Sequence, residues 1–296
     1  MNLMEKYAPE ANKLSIKQYC PPRSFELAGK KFKFVLDTGE ETGEYDLDFK
    51  DNYKLTWSFR GSEPKEESYE LRKADDIIYL LSFCISGLVP RRNDTFVIDL
   101  EQMLVTYLRA SAGENPCYPY VVNTHFGFGY IAEEGKEHTD RRRHGFTGDV
   151  VGTAVGWRSG HQNASVHVYY DPSWYRIGYE LGLEDKPHGT GRLRELTKEM
   201  PSSDEPCDYV KINDWMYLVS VTEQNMEKIL GPNFMGFRSN TLCFLDNYHH
   251  LYSVGRGFGT VTSGEKEREL FVMIGKIGRP VEVNEKYFTD PNPYMV

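Results

Sequence analysis

Glu223 ends a run of alternating residues, Trp215, Tyr217, Val219, Val221 and Glu223, which share one face of an extended strand. Four bulky residues on that face belong inside a barrel, and they carry the carboxyl towards its mouth or interior. A carboxyl in an aromatic cavity has a raised pKa and can exchange a proton near neutrality. If the strand stops at Val221, Glu223 instead caps a helix over 223–230. His167 lies mid-strand in 165–170 and is the best placed of the eight histidines for a general base. His167 and Tyr169 share one face of that strand, and Val166, Val168 and Tyr170 the other; both sets are bulky enough to point inward. Tyr169 and Tyr217 suit hydrogen bonding to a phenol, carbonyl or carboxylate. Arg176 follows a Trp-Tyr pair, where it clamps an anionic substrate or makes a surface ion pair. Residues 238–241, starting with Arg238, lead into the neighbouring strand and line the same entrance.

Other patterns carry less chemistry. Gly255-Arg256-Gly257-Phe258-Gly259 is neither a phosphate-binding loop nor a dinucleotide fingerprint, and reads as strand. His249-His250 are adjacent, so in an extended chain their rings diverge, which is poor geometry for two ligands to one metal. No Cys-x-x-Cys or His-Glu-x-x-His occurs, so neither a metal nor an organic cofactor is expected. The five cysteines are scattered and odd in number, which fits reduced thiols. With a start that lacks an apolar signal region, this points to a cytoplasmic protein.

The elements that must position these groups are strands. The 296 residues include 20 Tyr and 16 Phe, an aromatic fraction of 14% that favours sheet. Lys and Arg number 35 against 44 Asp and Glu, a net charge of −9 that opposes binding to nucleic acid. No stretch has the length of a membrane span. Short helices are expected before Cys20, around 192–199 and over 223–230; most of the remainder reads as strands of about five to eight residues split by turn residues.

An internal repeat organises them. Residues 74–83 match 212–221 through a shared Tyr-Leu-apolar-Ser-apolar core, and 29–34 resemble 152–157. Between them 49–54 align with 170–175, and further on 95–99 align with 242–246. Four blocks in one order predict two related β-rich domains. The expected boundaries are an N-terminal extension at 1–24, a first barrel at 25–112, a crossover at 113–144, a second barrel at 145–262 and a C-terminal extension at 263–296. In the first repeat the face equivalent to that of Glu223 is Ile77, Tyr79, Leu81, Phe83 and Ile85, with no acid. The reactive group is therefore expected in the second barrel.

The blocks Gly152-Thr153-Ala154-Val155-Gly156-Trp157, 167–176 and 217–223 resemble the molybdenum cofactor biosynthesis protein F family. That resemblance implies a mainly β chain of two tandem lipocalin-like (calycin-type) antiparallel barrels. The second half is more distantly similar to phenolic acid decarboxylases, small cofactor-free barrels: Tyr175-Arg176-Ile177 and Tyr217 to Glu223 echo their motifs. The resemblance implies that Glu223 stands at the position of their catalytic acid, with Trp157 and Tyr175 in the pocket. Val155 and Trp157 occupy the positions nearest to their paired carboxylate-binding tyrosines, and Arg192 or Arg194 those nearest to their essential arginine.

Together these readings lead to a cofactor-independent lyase or isomerase acting on a small aromatic or phenolic acid. Its catalytic set is Glu223, His167 and Arg176, and its substrate-binding set Trp157, Tyr169, Tyr175, Trp215, Tyr217 and Arg238. Two alternatives stay open: a lipocalin-like protein that binds a small molecule without transforming it, or an accessory protein whose exposed face binds a partner. The expected partners are a small aromatic metabolite and a second copy of the chain in a homodimer, with no nucleic acid and no membrane.

Overall fold

The computed structural model describes residues 18–113, 122–135, 142–160, 163–181, 202–225, 237–263, 266–283 and 285–289. The helices expected before Cys20 and at 192–199, the bulk of the one expected over 223–230, and Arg192 and Arg194 all lie outside the described residues. The described chain is almost entirely strand, as its aromatic and β-branched alternation requires. It divides into two units, each built round its own barrel.

The first barrel runs β1 (Lys31–Asp37), β2 (Thr42–Phe49), β3 (Lys54–Phe59), β4 (Lys65–Asp75), β5 (Ile78–Ile85), β6 (Arg91–Asp99), β7 (Leu104–Ala112) and β8 (Val122–Ala132). Each strand pairs antiparallel with the next, and β8 returns to β1 to close the ring. Closure leaves no edge, which removes the aggregation hazard of an open sheet. One aromatic-rich core fills it, including Phe34, Tyr45, Trp57, Phe83 and Phe96. The eighth strand falls in the stretch read from sequence as a crossover, because its alternation is broken by Gly127 and Gly129, which a strand pattern does not flag.

The second barrel follows the same plan. A two-residue strand β9 (Gly145–Phe146) precedes β10 (Thr153–Gly160), β11 (Asn163–Tyr169), β12 (Trp174–Leu181), β13 (Ser202–Lys211), β14 (Met216–Glu223), β15 (Phe237–Asn247), β16 (Tyr252–Ser263) and β17 (Lys266–Pro280). Neighbours pair antiparallel, and β10 pairs with β17, so eight strands close, with β9 beside β13. The 15 residues of β17 lie in the stretch expected as an extension, yet the barrel cannot close without them. After β17, Val281, Val283, Tyr287 and Phe288 pack on the outer face of β11 against Val166 and Val168.

The two registers correspond strand for strand. The blocks at 29–34 and 152–157 fall at β1 and β10, and those at 74–83 and 212–221 at β5 and β14, first and fifth in each barrel. The other two blocks are offset by one residue. Leu81 faces Phe96 across β5–β6, and its equivalent Val219 faces Phe244 across β14–β15, so Phe96 corresponds to Phe244. Sequence alignment had set Phe96 against Cys243. In a strand a slip of one residue exchanges inside for outside. The corrected register turns Asp246 into the barrel opposite Tyr217, whereas Asp99 caps the turn after β6 by accepting the Glu101 and Gln102 N–H groups.

Candidate functional site

Period two and the cross-strand pairs define the inner face of the second barrel. Tyr217, Val219 and Val221 pack in its core with Trp157, Tyr169, Tyr175 and Tyr209, so Glu223, two residues beyond Val221, points the same way. It is the last residue of β14 and is 2% exposed. The Gln224 and Asn225 N–H groups donate not to Glu223 but to the Glu205 carboxylate, at 2.6 and 2.9 Å. Glu223 Oε2 has no hydrogen-bond partner among the described residues. Burial pushes its carboxyl well above the usual range; the Glu205 charge adds to the rise and Lys276 opposes it. Burial thus favours the protonated form of Glu223 relative to an exposed glutamate.

Asn240 sits directly opposite Glu223 across β14–β15 and shares its face. It is fully buried, and neither Oδ1 nor Nδ2 finds a partner among the described residues. Three unpaired polar atoms on two facing residues are a costly arrangement, since each buried unsatisfied group forfeits about 1–3 kcal/mol. Sequence had placed Asn240 only at the entrance.

Of the expected site residues, His167, Trp157, Tyr169, Tyr175 and Tyr217 do gather on the inner face. The open question of which face of β11 points inward is settled for His167 and Tyr169. The His167 ring lies 5.2 Å from that of Tyr175 and 6.1 Å from that of Phe244. Its Nε2 is 3.2 Å from Ser165 Oγ. Burial, reinforced by the Lys276 charge, pushes its pKa well below the usual imidazole value, so it is neutral. Tyr169 donates to Asp246 Oδ2 at 3.2 Å, and Tyr217 packs edge-on against Tyr248.

Two residues, Arg176 and Trp215, are not brought together with them. Arg176 pairs with Val168, on the outer face, where its guanidinium binds Asp204 at 2.7 Å and donates to the Tyr287 carbonyl at 3.2 Å. It ties the C-terminal segment to the wall and cannot reach the interior. Trp215 precedes the strand rather than opening it, is 60% exposed and lies against His249. Ile77, its counterpart in the first repeat, is likewise exposed in the turn before β5. Alternation extended one step past each strand misplaced both. Arg238 lies in β15 at a register shift, and its side chain is outside the described residues.

Two charged groups were missed. Lys276 follows Leu270, Val272 and Ile274 at period two; the sequence reading allowed this apolar run to pair with a barrel edge, as it does, but did not single out the lysine. Its Nζ rests 3.1 Å from the centroid of the Phe244 ring. Burial pushes its pKa down to about 7, against the attraction of Asp246 and Glu223. Asp246 is fully buried, its carboxyl raised by burial and held back by Lys276, Ser253 and Tyr169. The floor beneath is closely packed: a Cβ at Gly255 would fall 2.6 Å from the Phe244 ring, and one at Gly278 2.6 Å from that of Trp157. These glycines let the large rings lie flat on the sheet.

The same rungs of the first barrel hold different groups. Ile85 faces Arg92 where Glu223 faces Asn240, and Ile98 stands where Asp246 does. There Arg92 grips Asp94 with two bonds of 2.6 Å, while Tyr45 and Tyr107 donate to the same carboxylate at 2.7 and 3.1 Å. By the matched registers Tyr45 corresponds to Ser165 and Tyr107 to Gly255. The acid absent from β5 is thus supplied by β6, but it is saturated. Glu67, the counterpart of Glu205, accepts from Ser86 N and Oγ at 2.7 and 2.6 Å, so this glutamate is a turn cap in both barrels.

Among the described residues no group of three or more His, Cys, Asp or Glu side chains is arranged to hold a metal. Cys20, Cys84, Cys207 and Cys243 are free thiols, and Cys117 lies outside the described residues. Among the described residues no helix is long and apolar enough to cross a membrane.

Comparison with known proteins places a partial likeness on this geometry. The model of the MoaF N-terminal domain matches residues 12–112, which include most of the first barrel. No curated protein matches the chain. Among solved structures, a protein with unknown function from the DUF3598 family of Nostoc punctiforme shares 10% identity, over 85% of this chain and 95% of that one, with a TM-score of 0.35. Residues 12–112 of the chain are therefore similar to the MoaF N-terminal domain.

Proposed function

We propose that the second barrel binds a small organic molecule in its interior, with Glu223 and Asn240 as the polar contacts and Trp157, Tyr169, Tyr175 and Phe244 as the apolar wall. The observation that carries this reading is the facing pair of buried, unsatisfied side chains. Folding leaves them without partners, and a ligand offering complementary groups recovers that cost on binding. The first barrel, whose interior ion pair is saturated by two tyrosines, serves as the folded companion.

A fragment screen by ligand-observed NMR tests this directly. Hits should bind the wild type and be lost in Val221→Trp, which fills the second interior beside Glu223. They should persist in Leu81→Met, a conservative change in the first. Hits that survive the tryptophan and vanish with the methionine would move the site to the other barrel.

The burial of Glu223 on the inner face, which raises its carboxyl, favours a second reading, a cofactor-independent lyase or isomerase acting on a small aromatic acid. Glu223 would then deliver the proton, with neutral His167 as its partner base. Arg176 has no part in it. Once a ligand is known, Glu223→Gln should cut its turnover on the order of 100-fold if this reading holds. A ligand recovered unchanged by the wild type would leave binding alone.

A further inference from the structure

We infer that the ligand of the second barrel is a small organic ammonium ion with an aromatic or apolar body, held between Glu223 and Asn240. This rests on the binding reading above and specifies its substrate class. The first argument is the inventory of charge. Among the described residues, the inner face presents the carboxyls of Glu205, Glu223 and Asp246 against one ammonium, that of Lys276, with the His167 pKa lowered by burial. Glu205 is consumed by two backbone N–H groups, and Asp246 accepts from Tyr169 through Oδ2, while its Oδ1 has no hydrogen-bond partner among the described residues. Glu223 keeps a free acceptor and has no cation within ion-pairing distance among the described residues.

The second argument is the chemistry of the opposing pair. Of the three unpartnered atoms, Glu223 Oε2 and Asn240 Oδ1 are acceptors, one able to carry a full charge and one neutral, and Asn240 Nδ2 is a donor. An ammonium group has three N–H donors and satisfies both acceptors. A carboxylate ligand, when ionised, has no N–H or O–H donor to offer either acceptor.

The third is the wall. Lys276 Nζ lying on the Phe244 ring shows that this interior accommodates a cation against an aromatic face. Trp157, Tyr169 and Tyr175 offer further faces for the same contact or for a ligand ring. Burial raises the Glu223 carboxyl, so an arriving cation would favour its charged form, and a proton displaced in this way would leave to solvent.

Isothermal titration of the full chain with three isosteric probes decides the class: 2-phenylethylammonium, phenylacetamide and phenylacetate. The ammonium should bind at least about 10-fold more tightly than either other probe, as befits a charge-assisted contact. At pH 7, titrations in phosphate and in Tris should differ in heat because binding releases a proton. Glu223→Gln should abolish that release and weaken the ammonium on the order of 10-fold, while Asn240→Asp, which adds an acid, should not weaken it. Tighter binding of the amide or the acid, or ammonium binding with no proton released, would overturn the ammonium assignment and leave the binding site standing. Failure of all three probes, with no fragment found by the NMR screen, would remove the binding reading itself.

Discussion

The two barrels share strand order and register, and differ in how they treat charge at the same rungs. In the first, Arg92 and Asp94 neutralise each other, and Tyr45 and Tyr107 occupy the remaining acceptor positions. In the second, Ser165 and Gly255 replace those tyrosines, Leu242 replaces the aspartate, and Asn240 faces Glu223 with neither satisfied. The first arrangement is what a barrel needs to stay folded with a polar core. The second sacrifices stability at one rung, and such local sacrifice is characteristic of sites that await a ligand. Glu67 and Glu205, which cap the same turn in both barrels, show that burial of an acid alone does not mark a site.

The contrast is open to substitution. The largest effect should come from Asp94→Leu, which installs the residue of the second barrel and leaves Arg92 with its main partner removed. Breaking a buried ion pair from one side costs about 3–5 kcal/mol, and chemical denaturation should register a loss of that order in the first barrel. A loss under 1 kcal/mol would mean that the network is ornamental. The converse change, Glu223→Ile, installs the residue of the first barrel. It removes an unsatisfied acid and should stabilise the second barrel by about 1 kcal/mol, while abolishing fragment binding. Destabilisation instead would show that Glu223 has partners in solution.

The smallest effect is a slope. The folded-state pKa of Glu223 lies above its unfolded value of 4.5, so its contribution to stability is present below that pH and lost as pH rises towards the folded value. Glu223→Gln removes the loss, and its advantage over the wild type in thermal melts should grow as pH rises from about 5 to 8. For Lys276 the sign reverses. Its folded pKa of about 7 lies below the unfolded 10.5, so the wild type gains stability as pH rises between them. Lys276→Met should flatten that gain. Parallel curves for wild type and variants would show that neither group titrates abnormally.

Much of this was legible from residue order. Alternation over Tyr217 to Glu223 put the acid on the inner face, and the repeat located its equivalent at Ile85. The losses have one physical origin. A strand pattern reports which residues share a face, but not where pairing begins or what bonds saturate a group. Hence Trp215 was read as strand when it lies in a turn, and Arg176 was counted with residues on the opposite face. Lys276 was missed because the strand that closes a barrel is joined to it by pairing rather than by proximity in sequence. Asp246 was hidden by a one-residue slip in aligning the repeat.

The central claim is that the second barrel, and not the first, is a receptor whose polar contacts are Glu223 and Asn240. A crystal structure of the chain grown with its tightest fragment tests it most directly. The account predicts density inside the second barrel, with a ligand polar atom within hydrogen-bonding distance of Glu223 Oε2 and Asn240. Density in the first barrel beside Asp94, or on the outer surface with both side chains still unpartnered, would contradict it.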